Sequence, residues 1–165
     1  MFIKKLNLFF FLLTIIGSVF LFYSWYKSNQ FKNNPLSKET FQEIKQKQRE
    51  LEVLTYKNFN IKTKFPVLVS DKLPDKLFGA TTFGKDSKIT IYLNKKHFYE
   101  SNDYMINDVL PHEYAHALMF ASGNFTKQNG GHTKKWQDIC KKLNGLRCNR
   151  FVDHDDIIIG KTNVF

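Results

Sequence analysis

Hydrophobic and polar positions divide the chain into stretches of different period. Residues 6–26, from Leu6 through the Phe9-Phe10-Phe11 run to Tyr26, carry no charge at all. An apolar run of that length crosses about 30 Å of hydrocarbon as a helix, so it predicts one transmembrane segment. Residues 27–38 are polar and contain Pro35, which reads as a juxtamembrane linker. Ser37, followed by Glu39 and Thr40, then forms a helix start. Phe41, Ile44, Gln48 and Leu51 recur at helical spacing to about Leu54. From Lys57 to Asn94 the pattern turns extended. Phe65–Val69 predicts a strand, and 79–83 and 88–93 predict two more around a Gly84-Lys85-Asp86-Ser87 hairpin turn. Ile89, Ile91 and Leu93 share one face at period two. A second helix is expected over 103–121 and a third over 133–143. The third carries Trp136, Ile139, Cys140 and Leu143 as an i, i+3, i+4, i+7 stripe, with Asn144-Gly145 to stop it. Helix, strands, helix, helix predicts a small α+β domain over 39–165 behind one transmembrane helix.

Flanking residues refine the apolar run. Tyr23, Trp25 and Tyr26 crowd its C-terminal end, where amphipathic rings favour the membrane–water boundary, and Lys4, Lys5 and Lys27 bracket it. The competing reading is a cleaved signal peptide. Against it stand the length of the run, the lack of a small-x-small cleavage site and the lack of a lipoprotein cysteine. We therefore expect an uncleaved single-pass anchor. Lys4 and Lys5 place the N-terminus inside and the domain outside the cytoplasm, although Lys27, Lys32 and Lys38 nearly balance that count.

The 165 residues carry a formal charge of +10 and leave room for one domain. Beyond the anchor, 23 Lys and Arg against 15 Asp and Glu leave an excess of +8. Next to an anchor, anionic lipid headgroups are the simplest partner for that charge. The lysines are dispersed, which argues against a nucleic-acid site. The two cysteines, Cys140 and Cys148, are too few for a zinc ribbon and are read equally well as a disulfide or as unrelated thiols.

Chemistry concentrates in His112-Glu113-Tyr114-Ala115-His116. Histidines four apart project from one helix face and can hold one Zn²⁺, with Glu113 between them as acid/base for a zinc-activated water. The bare motif also occurs on surface helices that bind no metal. Here Val109, Leu110, Ala115, Leu118 and Met119 make the helix apolar, so the imidazoles are expected to be buried and in need of a partner. Pro111 is expected to start or kink the helix. A catalytic zinc takes three protein ligands and keeps one position open. No Glu follows Glu113, so the third ligand comes from His132, Asp138 or His154 with its neighbours Asp153, Asp155 and Asp156. His132 leads, because Gly130-Gly131 let the chain turn before it and it opens the third helix. His154 is read as either a transition-state or ligand-orienting group, or a residue of a solvated acidic turn.

Residues 108–118, then Gly131-His132-Thr133-Lys134-Lys135-Trp136, then Leu143-Asn144-Gly145, resemble the SprT-like (Spartan-type) family. Ile89–Asn94, Phe78-Gly79-Ala80 and 152–156 extend the resemblance over roughly 39–156. The resemblance implies a zincin-like metallopeptidase domain, with His112, His116 and His132 as zinc ligands and Glu113 as the catalytic residue. Many members carry a four-cysteine zinc ribbon and most are soluble. Neither trait appears in this sequence, and both departures argue against a DNA-repair role.

The expected function is thus a membrane-anchored zinc metallopeptidase acting on polypeptide. Ile89–Leu93, if at a sheet edge, is expected to hold an extended substrate. The alternatives are a catalytically silent zinc-stabilised binding module at the membrane and a DNA-associated protease of the Spartan type.

Overall fold

The computed structural model describes residues 2–124, 131–146 and 148, and the backbone of 157–159. The chain divides into two units, Met1–Leu36 and Ser37–Phe165. The first is a single helix, α1 (Phe2–Asn33), long and apolar enough to cross a membrane. Its large apolar side chains, Phe9, Ile16 and Phe20 among them, are exposed.

The second unit is α+β. Helix α2 (Lys38–Phe59) begins where the Ser37 hydroxyl caps it by accepting from Thr40 N at 3.1 Å. It ends at Asn60, whose left-handed backbone (φ 54°) closes the last turn. It therefore runs one turn past the expected stop near Leu54, with Thr55 still buried. Strands β1 (Val67–Ser70), β2 (Gly79–Phe83) and β3 (Ile89–Asn94) follow. β2 and β3 form the expected antiparallel hairpin, in which Ser87, not Gly84, takes the positive φ. β1 pairs parallel with β3, and β4 (Ile157–Ile159) pairs parallel with β2. The sheet order is β1-β3-β2-β4. β3 is therefore central, with β1 and β2 occupying both its backbone edges. This overturns the expectation that Ile89–Leu93 binds an extended substrate, because no hydrogen-bonding edge remains there.

Asn94 manages the exit from the sheet. Fully buried, it donates to the carbonyl of Leu77 at 2.7 Å, and its oxygen caps α3 (Lys95–Phe98) by accepting from Lys96 N at 3.1 Å. The helix expected over 103–121 is in three pieces. α4 (Asn102–Tyr104) leads into a π-helical stretch, Met105–Val109, and then α5 (Leu110–Ala121). Pro111 explains the break. It has no N–H to offer the Asn107 carbonyl, and the backbone widens so that Leu110 N donates to Met105 O instead.

From Glu113 to Phe120 every residue of α5 is buried, which is the pattern of a central helix covered on all sides. Phe65 packs edge-on against Tyr114 with ring centroids 5.1 Å apart, and Phe83 packs against Phe120 at 5.8 Å. Helix α6 (Lys134–Lys142) is capped by Thr133 and buries Trp136, Ile139 and Cys140 as the stripe predicts. Its end is tied to α2 by Asn58 Nδ2 donating to Lys142 O at 2.8 Å. Asn144 (φ 60°) rather than Gly145 takes the left-handed stop position. Gly145 serves another purpose: a Cβ there would lie 2.6 Å from Cys140 Sγ and 2.9 Å from Cys148 Sγ. Those two sulfurs form a disulfide, which decides between the two cysteine readings.

Candidate metal centre

α5 and α6 place three imidazoles at one point. His112 and His116 stand one turn apart on α5, and His132 reaches them from two residues before α6. The Nε2 atoms are separated by 3.3 Å (His112–His116), 3.3 Å (His116–His132) and 3.0 Å (His112–His132). His116 is fully buried and the other two are partly buried.

Hydrogen bonding among the three rings cannot account for this triangle. Each Nε2 carries either a proton or a lone pair, and a hydrogen bond needs one of each. Three mutually close nitrogens cannot be divided so that every pair is unlike, so at least one contact would join like groups. A central cation removes the conflict by taking all three lone pairs. The spacing also suits one. Two nitrogens each about 2.0–2.1 Å from a tetrahedral ion lie about 3.3 Å apart. The three histidines can therefore hold a metal ion.

Trp136 floors the cluster. Fully buried, its ring lies 4.7 Å from His112, 5.1 Å from His116 and 4.5 Å from His132, centroid to centroid. The His116 ring stacks on it with an interplanar angle of 27°. Trp136 was legible in sequence as a core residue of α6. That one indole supports all three imidazoles was not.

Glu113 is 2 % exposed and packs against β2. The Thr81 hydroxyl lies 2.7 Å from Glu113 Oε2 and 2.9 Å from the Glu113 carbonyl oxygen. Gly79, on the same face of β2, is so close that a Cβ would fall 2.7 Å from Glu113 Cγ. Thr81 did not stand out in the sequence, and Gly79 entered only within the Phe78-Gly79-Ala80 resemblance, with no role attached. A Thr in a strand is an ordinary β-former, and the glycine at the strand's start carried no chemical signal.

Of the other ligand candidates, Asp138 is not among the clustered donors and forms an ion pair with Lys134 at 3.1 Å, and His154 with Asp153, Asp155 and Asp156 lies outside the described residues. His97 is a separate matter. Its Nε2 lies 2.8 Å from the Asp75 carbonyl and its Nδ1 2.9 Å from Glu100, while its ring stacks on Phe78 at 3.9 Å, a packing role.

No curated protein and no solved structure matches the chain. The model of the SprT-like family matches residues 37–155, which span α2, β1 to β3 and both histidine-bearing segments.

Proposed function

The chain belongs to the SprT-like family, and from that premise we propose that it is a zinc-dependent metallopeptidase anchored in a membrane by α1. The observation that carries the reading is the triangle of His112, His116 and His132 Nε2 atoms, spaced for one tetrahedral ion. A neutral three-histidine set suits zinc and leaves a coordination position for chemistry. Zinc held there supplies a nucleophile at neutral pH and polarises the scissile carbonyl.

The remaining work falls to the chain. His112, His116 and His132 orient the ion, and Trp136 keeps water from their inner side. Glu113 accepts a proton at its carboxylate as water attacks and returns it to the leaving amine. Its near-complete burial supports that role, because a carboxyl shielded from solvent exchanges its proton with the reacting groups rather than with bulk water.

Location follows from three features. The charge-free stretch 6–26 suits about 30 Å of hydrocarbon, and α1 exposes its apolar side chains all round. Lys4 and Lys5 favour a cytoplasmic N-terminus. The Cys140–Cys148 disulfide favours an oxidising, extracytoplasmic compartment for the domain. Only residues 34–37 separate α1 from α2, and the basic excess of the chain beyond the anchor suits anionic lipid headgroups. The substrate class is polypeptide within reach of the membrane.

Glu113→Gln in the full chain tests the mechanism. It should bind one zinc per chain like the wild type and lose cleavage of a casein substrate by at least about 10²-fold, the lower range for a general acid/base. Cleavage retained at the wild-type rate would refute the assignment of Glu113. A wild type that binds zinc but cleaves nothing would favour a zinc-stabilised binding module.

A further inference from the structure

We propose that Gly79 and Thr81 of β2 form a slot that sets the rotamer of the Glu113 side chain, with Thr81 as its positioning residue. The chemistry of this inference rests on the peptidase reading; its geometry does not. The two residues are two apart on a strand and so face the same side, toward α5. A Cβ at position 79 would meet Glu113 Cγ at 2.7 Å, Oε1 at 2.9 Å and Cδ at 3.0 Å. Gly79 does not take a positive φ, so its glycine is explained by space and not by backbone conformation. The missing side chain is the wall of the slot. Thr81, fully buried, is its clasp, with its hydroxyl 2.7 Å from Oε2 and 2.9 Å from the Glu113 carbonyl.

A hydroxyl is an apt clasp for a residue that must both take up and give back a proton. Thr81 Oγ1 carries one proton and two lone pairs. Facing a carboxylate, it donates to Oε2. Facing a carboxylic acid, it accepts from Oε2 and turns its own proton to the Glu113 carbonyl. The contact therefore survives both halves of a proton shuttle. A lysine or arginine would hold the charged form only. The second contact, to the main chain, also fixes this turn of α5 against β2, so backbone and carboxyl are located by one atom.

The test uses the full chain in detergent as Thr81→Val, Thr81→Ser and Gly79→Ala, with wild type alongside. Three quantities are read: bound zinc per chain, kcat and KM on fluorescein-labelled casein, and the Glu113 rotamer in crystal structures. Thr81→Val keeps the shape and removes the hydroxyl. In Gly79→Ala the three atoms nearest the new Cβ all belong to the Glu113 side chain, so the clash falls on the carboxyl arm and displaces it. We expect zinc content and KM within about twofold of wild type in both. With the carboxyl moved by about 1 Å, kcat should fall by about 10²-fold. Thr81→Ser should restore it. A Glu113 rotamer unchanged in both Thr81→Val and Gly79→Ala would overturn the slot, as would a loss in Thr81→Val that Thr81→Ser does not recover. A wild type that cleaves no casein counts against the peptidase reading instead, and the rotamers still decide the slot.

Discussion

Removing the His132 imidazole is the sharpest test of the three-histidine centre. His132 approaches His112 at 3.0 Å and His116 at 3.3 Å, and it alone comes from outside α5. The start of α6 does not depend on it, because the Thr133 hydroxyl accepts from Trp136 N at 3.3 Å and caps the helix. His132→Ala should therefore leave the metal-free fold intact and remove one ligand of three. Four-ligand protein zinc sites are worth about 10–16 kcal/mol at neutral pH, or roughly 2.5–4 kcal/mol per ligand. At 1.4 kcal/mol per decade, the zinc Kd should rise by about 10²–10³-fold. Competition against a chromophoric chelator of known affinity measures this, beside the melting temperature of both apo proteins. Trp136 offers an independent reading, since its ring lies within 5.1 Å of all three imidazoles. Co²⁺ bound there should quench its emission, and the variant should need a correspondingly higher Co²⁺ concentration. A change in Kd below about threefold would refute the site, since a true ligand is worth far more. An apo variant that melts much earlier would show the imidazole to be a packing element.

The Cys140–Cys148 disulfide and Tyr114 each allow further tests. Reducing the Cys140–Cys148 disulfide, or replacing both cysteines by Ser, should cost about 2.5 kcal/mol from the closure entropy of so short a loop, seen as a lower denaturation midpoint; no change would place the bond outside the stability of the fold. Gly145→Ala should hinder the same bond, because its Cβ would press on both sulfurs. Burial, assisted by Glu52, pushes the Tyr114 phenol above its usual range. The unfolded chain ionises at this residue near pH 10 while the folded chain does not, so stability should fall by about 1.4 kcal/mol per pH unit above about pH 10. Tyr114→Phe should remove that part of the alkaline slope. At pH 7 it should change stability by less than about 1 kcal/mol, because the buried hydroxyl lies near Thr55 without hydrogen-bonding geometry; a loss above about 2 kcal/mol would contradict this.

What the sequence disclosed, and what it hid, depended on how many residues had to agree. The stripe Trp136, Ile139, Cys140, Leu143 declared α6, and Ser37 and Thr133 marked two helix starts, because periodicity and caps are written in neighbouring residues. His132 could be brought to His112 and His116 because the motif required a third donor and few were on offer. Elements whose geometry is set by distant partners were less legible. The break before α5 was legible in part, since Pro111 was expected to start or kink the helix, but not that its missing N–H widens the preceding turn into a π-helix. The central place of β3 was invisible because β1 joins it in parallel, across a sequence gap that carries no pairing signal. That misplacement also misdirected the substrate expectation, since a strand flanked on both sides has no edge to lend. The contacts of Gly79 and Thr81 with Glu113 were hidden for the same reason. Their meaning appears only when β2 lies beneath α5 and brings residue 81 within 2.7 Å of residue 113, 32 positions later. Local chemistry picked out Glu113 and the three histidines, whereas the surface against which Glu113 packs belongs to the tertiary fold.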